Sequence, residues 1–123
     1  MDDGQELMDA FYEEAQSLID EMRKELSALG EEYIPTILHH LFRCAHTLKG
    51  SSGIVGFDNL REVAQALEKI FKAAKDQKCE INDDVISLLS ESIEACHGLL
   101  DGEEVEGLGE LLKKLNRIAY HLD

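Results

Sequence analysis

Apolar residues recur at intervals of three and four along nearly the whole chain, and glycines, one proline and short polar runs cut that repeat into segments. The first segment places Met8, Phe11, Tyr12, Ala15, Leu18, Ile19, Met22, Leu26 and Leu29 on one helical face. Asp3 followed by Glu6 resembles an N-terminal cap, and Gly30 a stop. Pro35 suits the first turn of a second helix, where its missing N–H does no harm. That helix carries Ile34, Ile37, Leu38, Leu41, Phe42, Ala45 and Leu48 as its stripe. Gly56 and Phe57 read as a C-cap pair, after which Asp58 or Asn59 can cap a third helix with Leu60, Val63, Ala64, Leu67, Phe71 and Ala74. The polar stretch 80–84 ends in acidic residues that favour the positive end of a fourth helix, with Val85, Ile86, Leu88, Leu89, Ile93, Cys96, Leu99 and Leu100. Beyond Asp101 and Gly102, a fifth segment shows Leu108, Leu111, Leu115, Ile118 and Leu122, its start blurred by Gly107 and Gly109. No segment alternates with period two. The connections are short, so successive helices should pack antiparallel. The predicted fold is all-α: an up-and-down antiparallel four-helix bundle with an additional C-terminal helix, forming one domain over residues 1–123.

Chemistry concentrates on the second helix. His46 has Lys49 three residues on, Gly50 four on and Gly53 seven on. Residues at those spacings surround one spot on a helix surface. The imidazole therefore has a cation on one side and two bare positions on the other, room for something large and a charge suited to a phosphoryl group. At about 100° per residue and with Ile34 as zero, the apolar stripe spans about −60° to +80° and His46 falls near +120°. It is thus held at the border of the core, with His39, Arg43 and Gly50 further towards solvent. Glu68 falls at the equivalent border of the third helix, so carboxylate and imidazole can meet across an antiparallel pair. A carboxylate accepting from Nδ1–H fixes the tautomer and leaves Nε2 as the nucleophile.

Composition narrows the field around that site. The net charge of −14 argues against nucleic acid and anionic membrane surfaces, which need a basic footprint. No long apolar run, signal peptide or lipidation motif is present, so the chain is expected to be soluble and cytoplasmic. Cys44, Cys79 and Cys96 lack Cys-x-x-Cys spacing and read as reduced thiols of a helical core. His40 and Cys44 lie four apart, but two ligands do not make a metal site. Glu94 and His97 resemble half of a di-iron motif with no second copy, and His121 carries no signal. Gly50, Gly53 and Gly56 follow neither nucleotide-binding glycine pattern, and no strand precedes them. No cofactor or metal is expected on this domain; ATP and Mg²⁺ would sit on partner domains.

The string His46-Thr47-Leu48-Lys49-Gly50, followed by Gly53 and Gly56, resembles the signature of histidine-containing phosphotransfer (HPt) domains. The longer run from Phe42 to Phe57 is most similar to the N-terminal phosphotransfer domain of chemotaxis histidine kinases of the CheA class. The resemblance is specific over 42–57, fair from Leu60 to Ile81, and elsewhere only a helical pattern.

That resemblance implies that His46 is the phosphoacceptor, taking the γ-phosphoryl group of ATP at Nε2 and passing it to an aspartate of a response regulator. It implies that Glu68 orients the imidazole and that Lys49 offsets phosphoryl charge. It also implies that Gly50 leaves room for the partner; Arg43, from its charge beside His46, and Gly53, from its spacing, are read as further docking positions. Many chemotaxis kinases carry a second histidine three residues before the acid; here that position is Gln65, an amide member of the network that cannot titrate near neutral pH. The expected partners are a histidine kinase catalytic domain and response regulator receiver domains, with the isolated domain a monomer and not catalytic alone. A free-standing HPt protein of a multistep phosphorelay and a non-catalytic helical interaction module stay open as alternatives.

Overall fold

The computed structural model describes residues 3–30 and 32–120; His121 and Leu122 lie outside them. Five helices follow in order: α1 (Asp3–Leu29), α2 (Pro35–Ile54), α3 (Asp58–Lys75), α4 (Asp83–Leu100) and α5 (Leu108–Tyr120). No strand occurs among the described residues. Helix α1 packs on α2 and α4, and α3 packs on the same two, which closes a four-helix ring; among the described residues the backbones of diagonal helices do not approach. Helix α5 lies outside the ring against α3 and α4.

Side-chain pairs fix the directions. Glu25 and Glu21 meet His40, Glu21 meets Cys44 and Glu14 meets Ser51, so α1 descends as α2 rises. Lys75 covers Phe42, Glu68 meets His46 and Arg61 lies against Gly53, so α3 is antiparallel to α2. Arg23 binds Glu94 and Tyr12 binds Asp101, giving the same relation between α1 and α4. The bundle is therefore up-and-down, as the short connections predict.

The predicted stripes form the core. Ile19, Met22, Leu38, Leu41, Leu48, Leu60, Leu67, Phe71 and Leu89 are fully enclosed. Met8 and Tyr12, assigned to the same stripe from their spacing, are instead exposed: Met8 lies one turn from the end of α1, and the Tyr12 hydroxyl reaches out to donate to Asp101 at 2.6 Å. Ile81, in the connection before α4, is buried although it belongs to no helix.

Helix ends follow local chemistry with three adjustments. Gly30 at φ +57° ends α1 and Pro35 opens α2 as expected. Gly56 at φ +75° ends α2 in a Schellman arrangement: Phe57 N donates to Ser52 O at 2.8 Å and Gly56 N to Gly53 O at 3.2 Å. Phe57 then packs back on Phe11, ring centroids 6.2 Å apart. Asp3 lies inside the first turn of α1 rather than capping it. Neither Asp58 nor Asn59 caps α3; Phe57 holds that position because the turn after Gly56 leaves no spacer, and Asp58 enters the first turn, where its charge favours the helix end. Asn82 caps α4, its Oδ1 accepting from Val85 N at 2.9 Å.

Candidate functional site

The α2–α3 pair, the most extensive contact of the bundle, builds the site. Helix α2 turns Cys44, Ala45 and Leu48 inward, which leaves His46 on the outer border between them. The His46 side chain is 63% exposed. Its ring stacks on Phe42 one turn earlier, centroids 6.0 Å apart and planes inclined by 26°. Phe42 is covered in turn by the Lys75 ammonium, 4.8 Å from its centroid. Tyr33 donates to the Lys75 carbonyl at 2.7 Å and so ties down the end of α3 beneath that stack.

Glu68 reaches the same spot from α3. Its Oε2 lies 2.5 Å from Nδ1 of His46 and its Oε1 lies 2.9 Å from Nζ of Lys49. Burial alone would push this carboxyl up, but the hydrogen bonds from Lys49 and His46, with their charges, outweigh burial and hold it below the usual carboxylate range. An ionised carboxylate can only accept, so the proton between the two residues belongs to Nδ1. The Nε2 lone pair is then directed away from the bundle, and Nε2 has no hydrogen-bond partner among the described residues. The register that the pattern left open is therefore level: acid, base and cation converge.

The remaining expected residues divide. Gly50 is exposed, and a Cβ added there would meet nothing within 4 Å. No intramolecular packing requires glycine, although glycine in a helix interior costs about 0.5–1 kcal/mol relative to alanine. Arg43 is exposed and makes no ion pair with the described residues. Gly53 is accounted for within the chain: an added Cβ would come 3.2 Å from Cδ of Arg61, whose side chain lies across it. Gln65 is half-buried, and its amide makes no hydrogen bond to His46 or Glu68. Lys49 spends its charge on Glu68 and is 30% exposed.

Phe42 and Lys75 are the participants that sequence reasoning missed. Phe42 sits four residues before His46, a spacing that places the two rings together, but its place in the apolar stripe concealed a second role. Of the other histidine candidates, Glu94 is taken by Arg23 at 2.7 Å and His97 lies 3.5 Å from Asp101, so they form no joint site.

A bundle whose α2 presents a carboxylate-oriented, outward-facing histidine matches one class: residues 6–118 match the Hpt domain family, and the chain belongs to it. Its relatives sharpen the comparison. The chain is similar to the chemotaxis protein CheA of Borreliella burgdorferi, 33% identical over 80% of this chain and 12% of that protein. It is 25% identical to CheA of Bacillus subtilis over 98% of this chain and 19% of the relative, and 32% identical to CheA of Salmonella typhimurium over 74% and 14%. The chain thus spans less than a fifth of the length of each of these relatives. Among solved structures, the phosphorylated P1 domain of CheA3 in complex with CheY6 from R. sphaeroides shares the fold, with a TM-score of 0.82, 22% identity, and coverage of 96% of this chain and 98% of that one.

Proposed function

We propose that this domain is a phosphoryl carrier, with Nε2 of His46 as the acceptor atom. The observation that carries the reading is the Nδ1 contact to Glu68 at 2.5 Å on a ring whose side chain is 63% exposed. In the forward step the Nε2 lone pair attacks the γ-phosphorus of ATP held by a separate catalytic domain. An N–P bond forms, the bond to the ADP oxygen breaks, and the ring gains positive charge that Glu68 offsets through Nδ1–H. Neutral imidazole is already a competent nucleophile, so no stronger base is required. Mg²⁺ and phosphate positioning belong to the donor domain. In the second step an aspartate carboxylate of a response regulator attacks the same phosphorus, and the N–P bond breaks with the electron pair returning to Nε2.

The CheA relatives favour a chemotaxis-type kinase as the parent system, with its catalytic domain as donor. The R. sphaeroides complex pairs a phosphorylated P1 domain with CheY6, which supports a receiver domain as the acceptor here. Gly50 gives such a partner clearance beside His46. Incubation with Mg²⁺-ATP and a CheA catalytic core should place a label on the chain that is labile to acid and stable to base. His46→Gln should lose that label while keeping its helical circular dichroism; acid-labile phosphate surviving in that variant contradicts the assignment.

A further inference from the structure

A second constellation lies on the opposite flank of α2, in the groove it forms with α1. Carboxylate oxygen of Glu21, ring nitrogen of His40 and Sγ of Cys44 all lie within 4.8 Å of one another. Oε2 of Glu21 is 3.3 Å from Sγ of Cys44 and 3.5 Å from Nε2 of His40. The other ring nitrogen of His40, Nδ1, is 3.3 Å from Oε1 of Glu25. We propose that Glu21, His40 and Cys44 form a binding site for a divalent transition ion of the zinc type, with Glu25 as the residue that orients His40.

The donor set selects the ion. Thiolate, imidazole and carboxylate together suit Zn²⁺ and its neighbours in the transition series, whereas Mg²⁺ and Ca²⁺ take oxygen donors. Two of the three donor spacings also fit, the third, between His40 and Cys44, lying within 4.8 Å. Zn–O and Zn–N bonds of about 2.0 Å and a Zn–S bond of about 2.3 Å put tetrahedral donor atoms about 3.3–3.5 Å apart. The Glu21–Cys44 and Glu21–His40 separations already have that size. Metal-bound histidines donate their second ring N–H to a carboxylate, which fixes tautomer and orientation; Glu25 stands where that role requires. Cys44 is buried, while the side chains of Glu21 and His40 are half exposed, so the fourth position opens to water.

Binding would exchange a proton for the metal. The Cys44 S–H bond breaks, Sγ bonds the ion, and one proton per ion leaves to the buffer, while Nε2 of neutral His40 and the ionised Glu21 contribute lone pairs. An ordinary cysteine thiol is protonated at neutral pH, so Sγ gives up its proton only as the ion binds. His40 and Cys44 are one turn apart on α2 and Glu21 belongs to α1, so the ion would fasten those two helices together. His46, Glu68 and Lys49 lie across the α2–α3 groove, and the site stands or falls independently of the phosphoryl reading.

The test is titration of the reduced chain with Co²⁺, followed by displacement with Zn²⁺. One equivalent should produce a thiolate-to-cobalt charge-transfer band with the intense visible bands of a tetrahedral ion, and calorimetry in buffers of different ionisation enthalpy should report proton release. Cys44→Ala and His40→Gln should each abolish the saturable signal, and Glu25→Gln should weaken affinity by about 10- to 100-fold. Cys79→Ser and His97→Gln should leave it unchanged. His40 is half exposed, so its variant keeps the bundle and separates lost ligation from lost folding. Absence of a thiolate band in the unsubstituted chain, or undiminished binding in His40→Gln, overturns the proposal.

Discussion

One carboxylate organises the chemistry. Glu68 accepts from Nδ1 of His46 and from Nζ of Lys49 at once, which fixes the tautomer of the first and the position of the second. A hydrogen bond to a charged group contributes about 1.5–3 kcal/mol, and each 1.36 kcal/mol is a factor of ten in rate. Glu68→Ala should therefore slow labelling of His46 by about 10- to 100-fold without abolishing it, as read from initial rates with a common kinase core. Its pH signature follows from the direction of the shift. A carboxyl held below its ordinary value contributes stability that is present above the unfolded value, about 4.3 for glutamate, and is lost as pH falls through the lowered one. Acid titration of folding should show that loss in the parent chain and a flatter profile in Glu68→Gln; an unchanged profile contradicts the pairing.

His46, Lys49 and Gly50 were legible because they share one helix, where spacing alone sets neighbours. The partnership with Glu68 was legible only as a shared border, since helical periodicity fixes an angle about the axis and not a height along a neighbouring helix. The place of Gln65 was not legible at all. Whether an amide joins a network depends on its rotamer and its distance from the acceptors, which helical spacing does not set: each Glu68 oxygen accepts one bond and keeps a second site, yet the Gln65 amide reaches neither.

At the level of helices, glycine separates structural from functional demand. Gly56 is required by its positive φ, a Cβ at Gly53 would crowd the Arg61 side chain at 3.2 Å, and one at Gly50 would meet nothing. Gly50→Ala should raise unfolding stability by about 0.5–1 kcal/mol while lowering the rate of transfer to a response regulator. Stability that rises with transfer unimpaired contradicts the view that the bare surface serves a partner. The end of α3 carries a converse case. Gln77 adopts φ +61° in a second Schellman turn, with Lys78 N donating to Ala73 O at 2.7 Å. A side chain in the left-handed region costs roughly 1–2 kcal/mol, so Gln77→Gly should raise the denaturation midpoint, which urea unfolding can read. Helix cores and the Gly30, Pro35 and Gly56 boundaries follow from residue type. The capping of α3 did not, because the turn after Gly56 is so tight that Phe57 takes the place expected of Asp58 or Asn59.

Across the whole molecule, a continuous apolar core holds four helices in a ring and leaves the His46 side chain on the outside of it. Antiparallel neighbours were legible from connection length, and α5 from its apolar period. That α5 docks outside the ring, on α3 and α4, was not, since the fifth stripe alone does not say which groove it fills. Rigid presentation suits the proposed carrier role, in which one imidazole fits two successive active sites. Helix α3 is clamped by α2, α4 and α5, so Glu68 rests on the best-supported element of the fold.

The most direct measurement is long-range ¹H–¹⁵N correlation NMR on ¹⁵N-histidine-labelled chain, before and after phosphorylation. Nδ1 of His46 should carry the proton in the free domain, and the phosphorus should be bonded to Nε2 afterwards. A proton resting on Nε2, or a phosphoryl group on Nδ1 or on another histidine, contradicts the account.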